Sequence, residues 1–130
     1  MAKIALTEDL IRDIIDFSKE NHDNGFLVHL GGRLDRNSGM IVAERLIYQG
    51  YMEPLSPASI ITGHMPVVDD TIGTVHNSSS EKHAPNKRDK EVMEKGYGSI
   101  HVISFYPYKE NNIRIYDNAG SELDWTADGG

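Results

Sequence analysis

The chain has no cysteine in its 130 residues, so neither a disulfide framework nor a thiolate metal site is open to it. Basic residues are in deficit: 13 lysines and arginines stand against 20 aspartates and glutamates, a formal net charge of −7. A nucleic-acid binder would show a basic patch, so the balance argues against that class and suits solubility in a cytoplasm. No apolar run approaches the roughly 18 residues of a membrane span, and the N-terminus lacks the pattern of a signal peptide. Repeats, low-complexity tracts and internal linkers are missing as well. What is there is globular in composition, 38% hydrophobic and 25% charged, and long enough to bury a core without staples. The expectation is one domain over residues 1–130, with a flexible C-terminal tail from about residue 126.

Thr7 is placed to cap a helix, with Glu8 and Asp9 in the first turn where acids favour the helix dipole. Leu6 and Ile11 stand at hydrophobic-staple spacing, and Leu10, Ile11, Ile14, Ile15 and Phe17 mark one face, which predicts a helix over 8–20. The apolar run Phe26 to Leu30, between Gly25 and Gly31-Gly32, reads as a strand, followed by a polar hairpin-like turn over 33–39. A second strand starts at Met40 and continues through Leu46 to Tyr48. Ser59 to Thr62 reads as another strand, leading to a bend at His64-Met65-Pro66.

Further on, Thr71 to Val75 is a β-type run that delivers His76 to the start of a polar loop. That loop holds Ser78-Ser79-Ser80 and Pro85 and ends where a helix begins near Asn86, to run to about Glu94 or Lys95 before Gly96 and Gly98. Ser99 to Phe105 has the continuous apolar character of a central strand, with His101 as a satisfied core or face residue. Ile113 to Asp117 alternates strictly, which predicts a strand with one wet face, and Glu122 to Trp125 reads as a short final strand. A strand, a polar loop and a helix cap together place imidazoles and carboxylates at the open end of a sheet.

The segment from Gly73 to Asp89, Gly-Thr-Val-His-Asn-Ser-Ser-Ser-Glu-Lys-His-Ala-Pro-Asn-Lys-Arg-Asp, resembles the JAMM (MPN, Mov34/PAD-1, JAB) metalloprotease motif, His-x-His-x7-Ser-x-x-Asp. In that family the two histidines and the aspartate bind zinc, the serine orients the reacting centre, and a glutamate from an earlier strand holds the attacking water. Laid on this chain, the first histidine is His76 and the aspartate is Asp89. The second histidine position is Ser78, the serine position is Asn86, and the glutamate position is Gly25, with Asp23 the nearest carboxylate. The resemblance extends to Ser99-Ile100-His101-Val102-Ile103, to Tyr106-Pro107-Tyr108 and to Ile113 to Gly120, so it covers nearly the whole chain. It implies an α/β domain of the MPN (JAB1/MPN, cytidine-deaminase-like) fold, a curved mixed sheet with flanking helices.

A catalytic zinc takes three protein ligands and leaves the fourth position open to water, and a neutral serine hydroxyl is a poor substitute for an imidazole. The resemblance therefore implies a frame kept and half of the chemistry lost, at Gly25, Ser78 and Asn86. The residual metal candidates are His76, Asp89 and, by swinging in from the loop, His83; if any metal binds, it is zinc. Ser78 as a nucleophile would require His76 as its base. The expected function is a non-catalytic MPN module for protein–protein interaction or scaffolding, with no cofactor. Its partners are expected to be proteins, a ubiquitin-like protein or a second MPN domain, with no nucleic acid and no membrane. The alternative is a zinc isopeptidase that cleaves ubiquitin-like conjugates. The terminal Gly129-Gly130 is also the ending of ubiquitin-like modifiers, although the rest of the chain implies another fold.

Overall fold

The computed structural model describes residues 3–23, 25–47, 71–79, 84–94 and 98–128. The expected strand at 59–62, the bend at 64–66, His83 and the terminal diglycine lie outside the described residues.

Strand β1, Ile4–Thr7, runs straight into helix α1, Glu8–Glu20. The junction is built as the sequence predicts. Thr7 is extended, and its hydroxyl accepts the backbone N–H of Leu10 at 3.2 Å, satisfying one of the donors that a helix start leaves orphaned. Leu6 and Ile11 are both buried at the staple positions. At the other end Asn21 closes the helix, with its backbone N–H and its side-chain amide both donating to the Phe17 carbonyl. The sequence reading missed β1, because four residues are too few to show a period.

Strand β2, Leu27–Asp35, is longer than its apolar run. It passes through Gly31-Gly32 with a register shift and turns only at 36–39 before β3, Met40–Ile47. The residues read as a polar turn from Arg33 are therefore half strand. A hairpin arm that leaves the core pairs through its backbone and needs no apolar side chains to do so. Strand β4, Thr71–Ser78, likewise outruns its expectation: His76, Asn77 and Ser78 belong to the strand, and no loop starts at His76. Helix α2, Lys87–Glu94, then leads to β5, Ile100–Phe105, which lies parallel to β4. A 3-10 turn, Glu110–Asn112, precedes β6, Ile113–Tyr116, and β7, Glu122–Leu123. The wet face expected of β6 is only partly there: Arg114 is half-exposed and pairs with Glu122 at the surface, but Tyr116 on the same face is buried, as are Ile113 and Ile115. Covering part of that face overrides the alternation there. Residues expected as a flexible tail instead form β8, Thr126–Asp128, paired parallel to β1.

Among the described residues the strands make one mixed 8-stranded sheet in the order β7-β6-β5-β4-β2-β3-β1-β8. Its two edge strands are joined by Asp124 and Trp125 alone. Strands about 4.8 Å apart would put the two edges of a flat sheet of this width roughly 34 Å apart, whereas three residue steps span about 11 Å. The sheet must therefore roll up, and the indole N–H of Trp125 fastens the closure on the Ile113 carbonyl at 3.1 Å.

Rolling gives the sheet two different faces. The inner cluster of Ile4, Leu6, Val28, Leu30, Val75, Val102 and Ile115 packs against Leu10, Ile11 and Ile14 of α1. On the opposite face Met93 of α2 packs with Ile103, Phe105 and Tyr116. Glycine at 73 is required by the β4–β5 contact, because a Cβ there would fall 1.7 Å from the Ile100 carbonyl oxygen. Gly98, at φ +110°, also lies close against Ile72 where the chain enters β5, a Cβ there falling 2.4 Å from the Ile72 carbonyl.

Candidate functional site

Register across β2, β4, β5 and β6 decides which side chains meet. Leu27, His76, Ile103 and Arg114 stand side by side in one row. Two residues along each strand, and so on the same face, His29, Thr74, His101 and Tyr116 form a second row. Three histidines thus share the face on which α2 packs, and His29, His76 and His101 are all buried.

His76 and Asp89, thirteen residues apart, meet here. The imidazole Nε2–H of His76 donates to Asp89 Oδ1 at 2.7 Å, with both side chains under 10% exposed. The other carboxylate oxygen, Oδ2, accepts the backbone N–H of Asn86 at 2.9 Å, and Asn86 Oδ1 accepts the backbone N–H of Asp89 at 2.9 Å. That reciprocal pair is a capping box: Asn86 is the cap of α2 and Asp89 its third residue. His76 Nδ1 has no hydrogen-bond partner among the described residues.

Neither remaining motif position brings a carboxylate or an imidazole to this pair. Ser78 is the last residue of β4 and pairs with Phe105. Gly25 has φ +74°, and a Cβ built on it would lie 3.5 Å from Asn77 Oδ1. Asn77 points to the opposite side of β4 from His76, toward the end of α1. Asp23 is exposed in the turn after α1.

Two networks flanking the pair were not legible in the sequence. Asn77 clamps the turn that carries Gly25: its Oδ1 accepts the Phe26 N–H at 3.0 Å, and its Nδ2 donates to the carbonyls of Ser18 and Asn21 at 3.3 and 3.2 Å. Beside it, His22 Nδ1 and the Tyr108 hydroxyl are 2.8 Å apart, and burial, with Tyr106 and Asp23 close by, pushes that phenol up from its ordinary pKa. On the histidine face Thr74 Oγ1 donates to His101 Nδ1 at 2.7 Å while His101 Nε2 donates to Asn118 Oδ1. Burial lowers the pKa of His101, more strongly than the Asn118 hydrogen bond raises it, and burial lowers that of His29 too. Asn77 and Thr74 lie inside the motif segment, so their position could have flagged both.

Whether zinc fits can be tested on the donors. Two ligands of a tetrahedral zinc, each about 2.0–2.1 Å from the metal, stand roughly 3.3 Å apart. His76 and Asp89 are closer than that and hydrogen-bonded to each other. Among the described residues no group of three His, Cys, Asp or Glu side chains is placed to hold a metal ion. Among the described residues the donor set therefore does not fit a three-ligand zinc centre. Away from this face a separate cleft of about 480 Å³ opens between Ile4, Ile41, Ile100 and Leu123, with Lys3, Glu122 and Asp124 at its sides and no histidine in its lining.

The rolled mixed sheet, with a helix against each face among the described residues, matches solved JAB1/MPN domains. A JAB1/MPN domain protein from Archaeoglobus fulgidus superposes with a TM-score of 0.70 over 95% of this chain and 97% of that one, at 24% identity. A structure described as "JAMM: A Metalloprotease-like Zinc Site in the Proteasome and Signalosome" gives 0.71 over 96% and 97%, at 23% identity. In sequence, a protein named "Probable metalloprotease" from Haloferax volcanii is 22% identical over 126 residues, which is 93% of this chain and 77% of that protein. No family model matches the chain. The chain is a protein of the JAB1/MPN fold, as its motif-level resemblance implied.

Proposed function

We propose that this chain is a non-catalytic MPN module, a single domain that works by binding other proteins in the cytoplasm. The observation that carries the reading is the fate of the two motif ligands that remain. His76 and Asp89 are hydrogen-bonded to each other, and the second oxygen of Asp89 is taken by the Asn86 backbone. Gly25, Ser78 and Asn86 bring neither a general base nor a third ligand to them. Loss of a base and of a metal ligand each removes most of the rate in a metal hydrolase. A partner that is itself an MPN domain, a second copy included, or a ubiquitin-like protein is the class the fold favours.

The second reading, a zinc isopeptidase acting on ubiquitin-like conjugates, draws on the sequence likeness to a protein named as a metalloprotease and on the fold likeness to a metalloprotease-like zinc site. One experiment separates the two. Metal content of the purified, untagged protein is measured, followed by zinc titration in a calorimeter. No bound zinc and no heat at micromolar metal is the expected result. Stoichiometric, tight zinc overturns the proposal and makes His83 the first ligand to test.

A further inference from the structure

Among the described residues, helix α2 buries few apolar side chains. It is eight residues long, Lys-Arg-Asp-Lys-Glu-Val-Met-Glu, and helices this short are unstable alone in water. Its buried apolar side chains among the described ones are Val92 and Met93. Asp89 and Met93 are four residues apart and so lie on one helical face. Met93 reaches the Ile103, Phe105 and Tyr116 cluster, and Asp89 reaches His76 in the same sheet.

From this we infer that a hydrogen-bonded lock built from His76, Asp89 and Asn86 fastens α2 to β4 without any metal ion. The inference rests on the non-catalytic reading and gives the vestigial residues a present task. Asn86, at the position the motif gives to serine, is the positioning residue. Its capping box fixes both the start of α2 and the rotation of the Asp89 carboxylate, so that Oδ1 is presented to His76 while Oδ2 stays on the backbone. The imidazole is in turn fixed by its row on β4 between Leu27 and Ile103. Every member of the lock is thus held from its own element, and the bond between them joins strand to helix. A buried hydrogen bond of this kind is costly to break from one side, because the partner left behind stays buried without a counterpart.

The test is thermal unfolding of the full chain, with and without a chelator and with and without added zinc, combined with nitrogen-15 spectra of its histidines. The wild-type melting temperature is expected to be the same in all four conditions, with a protected imidazole Nε2–H signal assigned to His76 apart from that of His101. Asp89→Ala is expected to lower the melting temperature by about 10 °C and to abolish that signal. If that variant does not fold, Asn86→Ala gives the same readout in milder form, and Asn86→Ser, which can still cap, restores most of the loss. A double substitution at 76 and 89 should cost less than the sum of the two single ones. A wild-type melting temperature that drops with chelator overturns the lock and the non-catalytic reading together. A zinc-free protein whose Asp89→Ala variant melts as wild type and keeps the imidazole signal overturns the lock alone.

Discussion

The two faces of the rolled sheet are equally dry and are held by different forces. On the α1 face, Leu10 and Ile14 meet Val28, Leu30, Val75 and Val102, and almost any close-packed set of similar volume would serve. On the α2 face, His29, Thr74, His76, His101 and Asp89 are buried as completely, and several find a named partner at a bonding distance. Apolar burial is additive and non-directional, so it tolerates exchange. Polar burial is tolerated only atom by atom, since a donor or acceptor left unpaired costs its full desolvation. The α1 face therefore specifies that the sheet has a core, and the α2 face specifies which arrangement of β4, β5 and α2 is allowed.

The comparison can be broken most directly from the apolar side. Leu10→Ala, at a position with no exposure, is expected to cost about 3 kcal/mol in denaturant unfolding and to leave the histidine resonances of the other face unchanged. Substitution on the polar face should behave in the opposite sense to hydrophobicity. Thr74→Val adds an apolar methyl yet strands His101 Nδ1 without its donor, so it is expected to destabilise by about 2 kcal/mol by the same measurement.

Acid should find the polar face first. Burial lowers the pKa of both His29 and His101, so each stays neutral in the folded protein at a pH where the unfolded chain is protonated. Below about pH 6.5 the unfolded state binds more protons, so this stability is fully present above that value and is lost as pH falls through it. The melting temperature is expected to be lower at about pH 5.5 than at about pH 7.5, with a shallower slope in His29→Gln. If the slope is flat, the two histidines are not held neutral and the contrast between faces weakens. The smallest effect belongs to the edge of the apolar side. Thr7→Ala removes the cap of α1 and should cost about 1 kcal/mol, a loss that Thr7→Ser largely avoids.

Local rules found what is local. The cap at Thr7, the length of α1 and its staple follow from side chains three and four residues apart, and the structure has them where the spacing predicts. Three strand stretches were drawn too short, whereas the strand expected over Glu122 to Trp125 ends at Leu123. β2 and β4 continue past their apolar runs into Arg33 and His76, and β8 takes residues that read as tail. In each case backbone pairing to a distant strand extends the element, and the partner's distance in sequence hides it from a window of a few residues. The site divided in the same way. The motif frame located His76, Asp89 and Asn86, and the Asn86-to-Asp89 spacing is that of a capping box, but that the capped helix presents Asp89 to His76 depends on how α2 packs on β4, which no residue pattern displays.

Sequence by itself thus determined the α1 unit, most of the strands, the motif frame over nearly the whole chain and the presence of glycine and serine at positions 25 and 78 of that frame, because these are matters of residue identity and short spacing. Tertiary structure alone decided the rest. It set the roll of the sheet through the Asp124-Trp125 connection, the gathering of His29, His76 and His101 on one face, and the mutual bond of His76 and Asp89. Those are set by the register between strands far apart in the chain, and a shift of one residue would turn every one of these side chains to the other face.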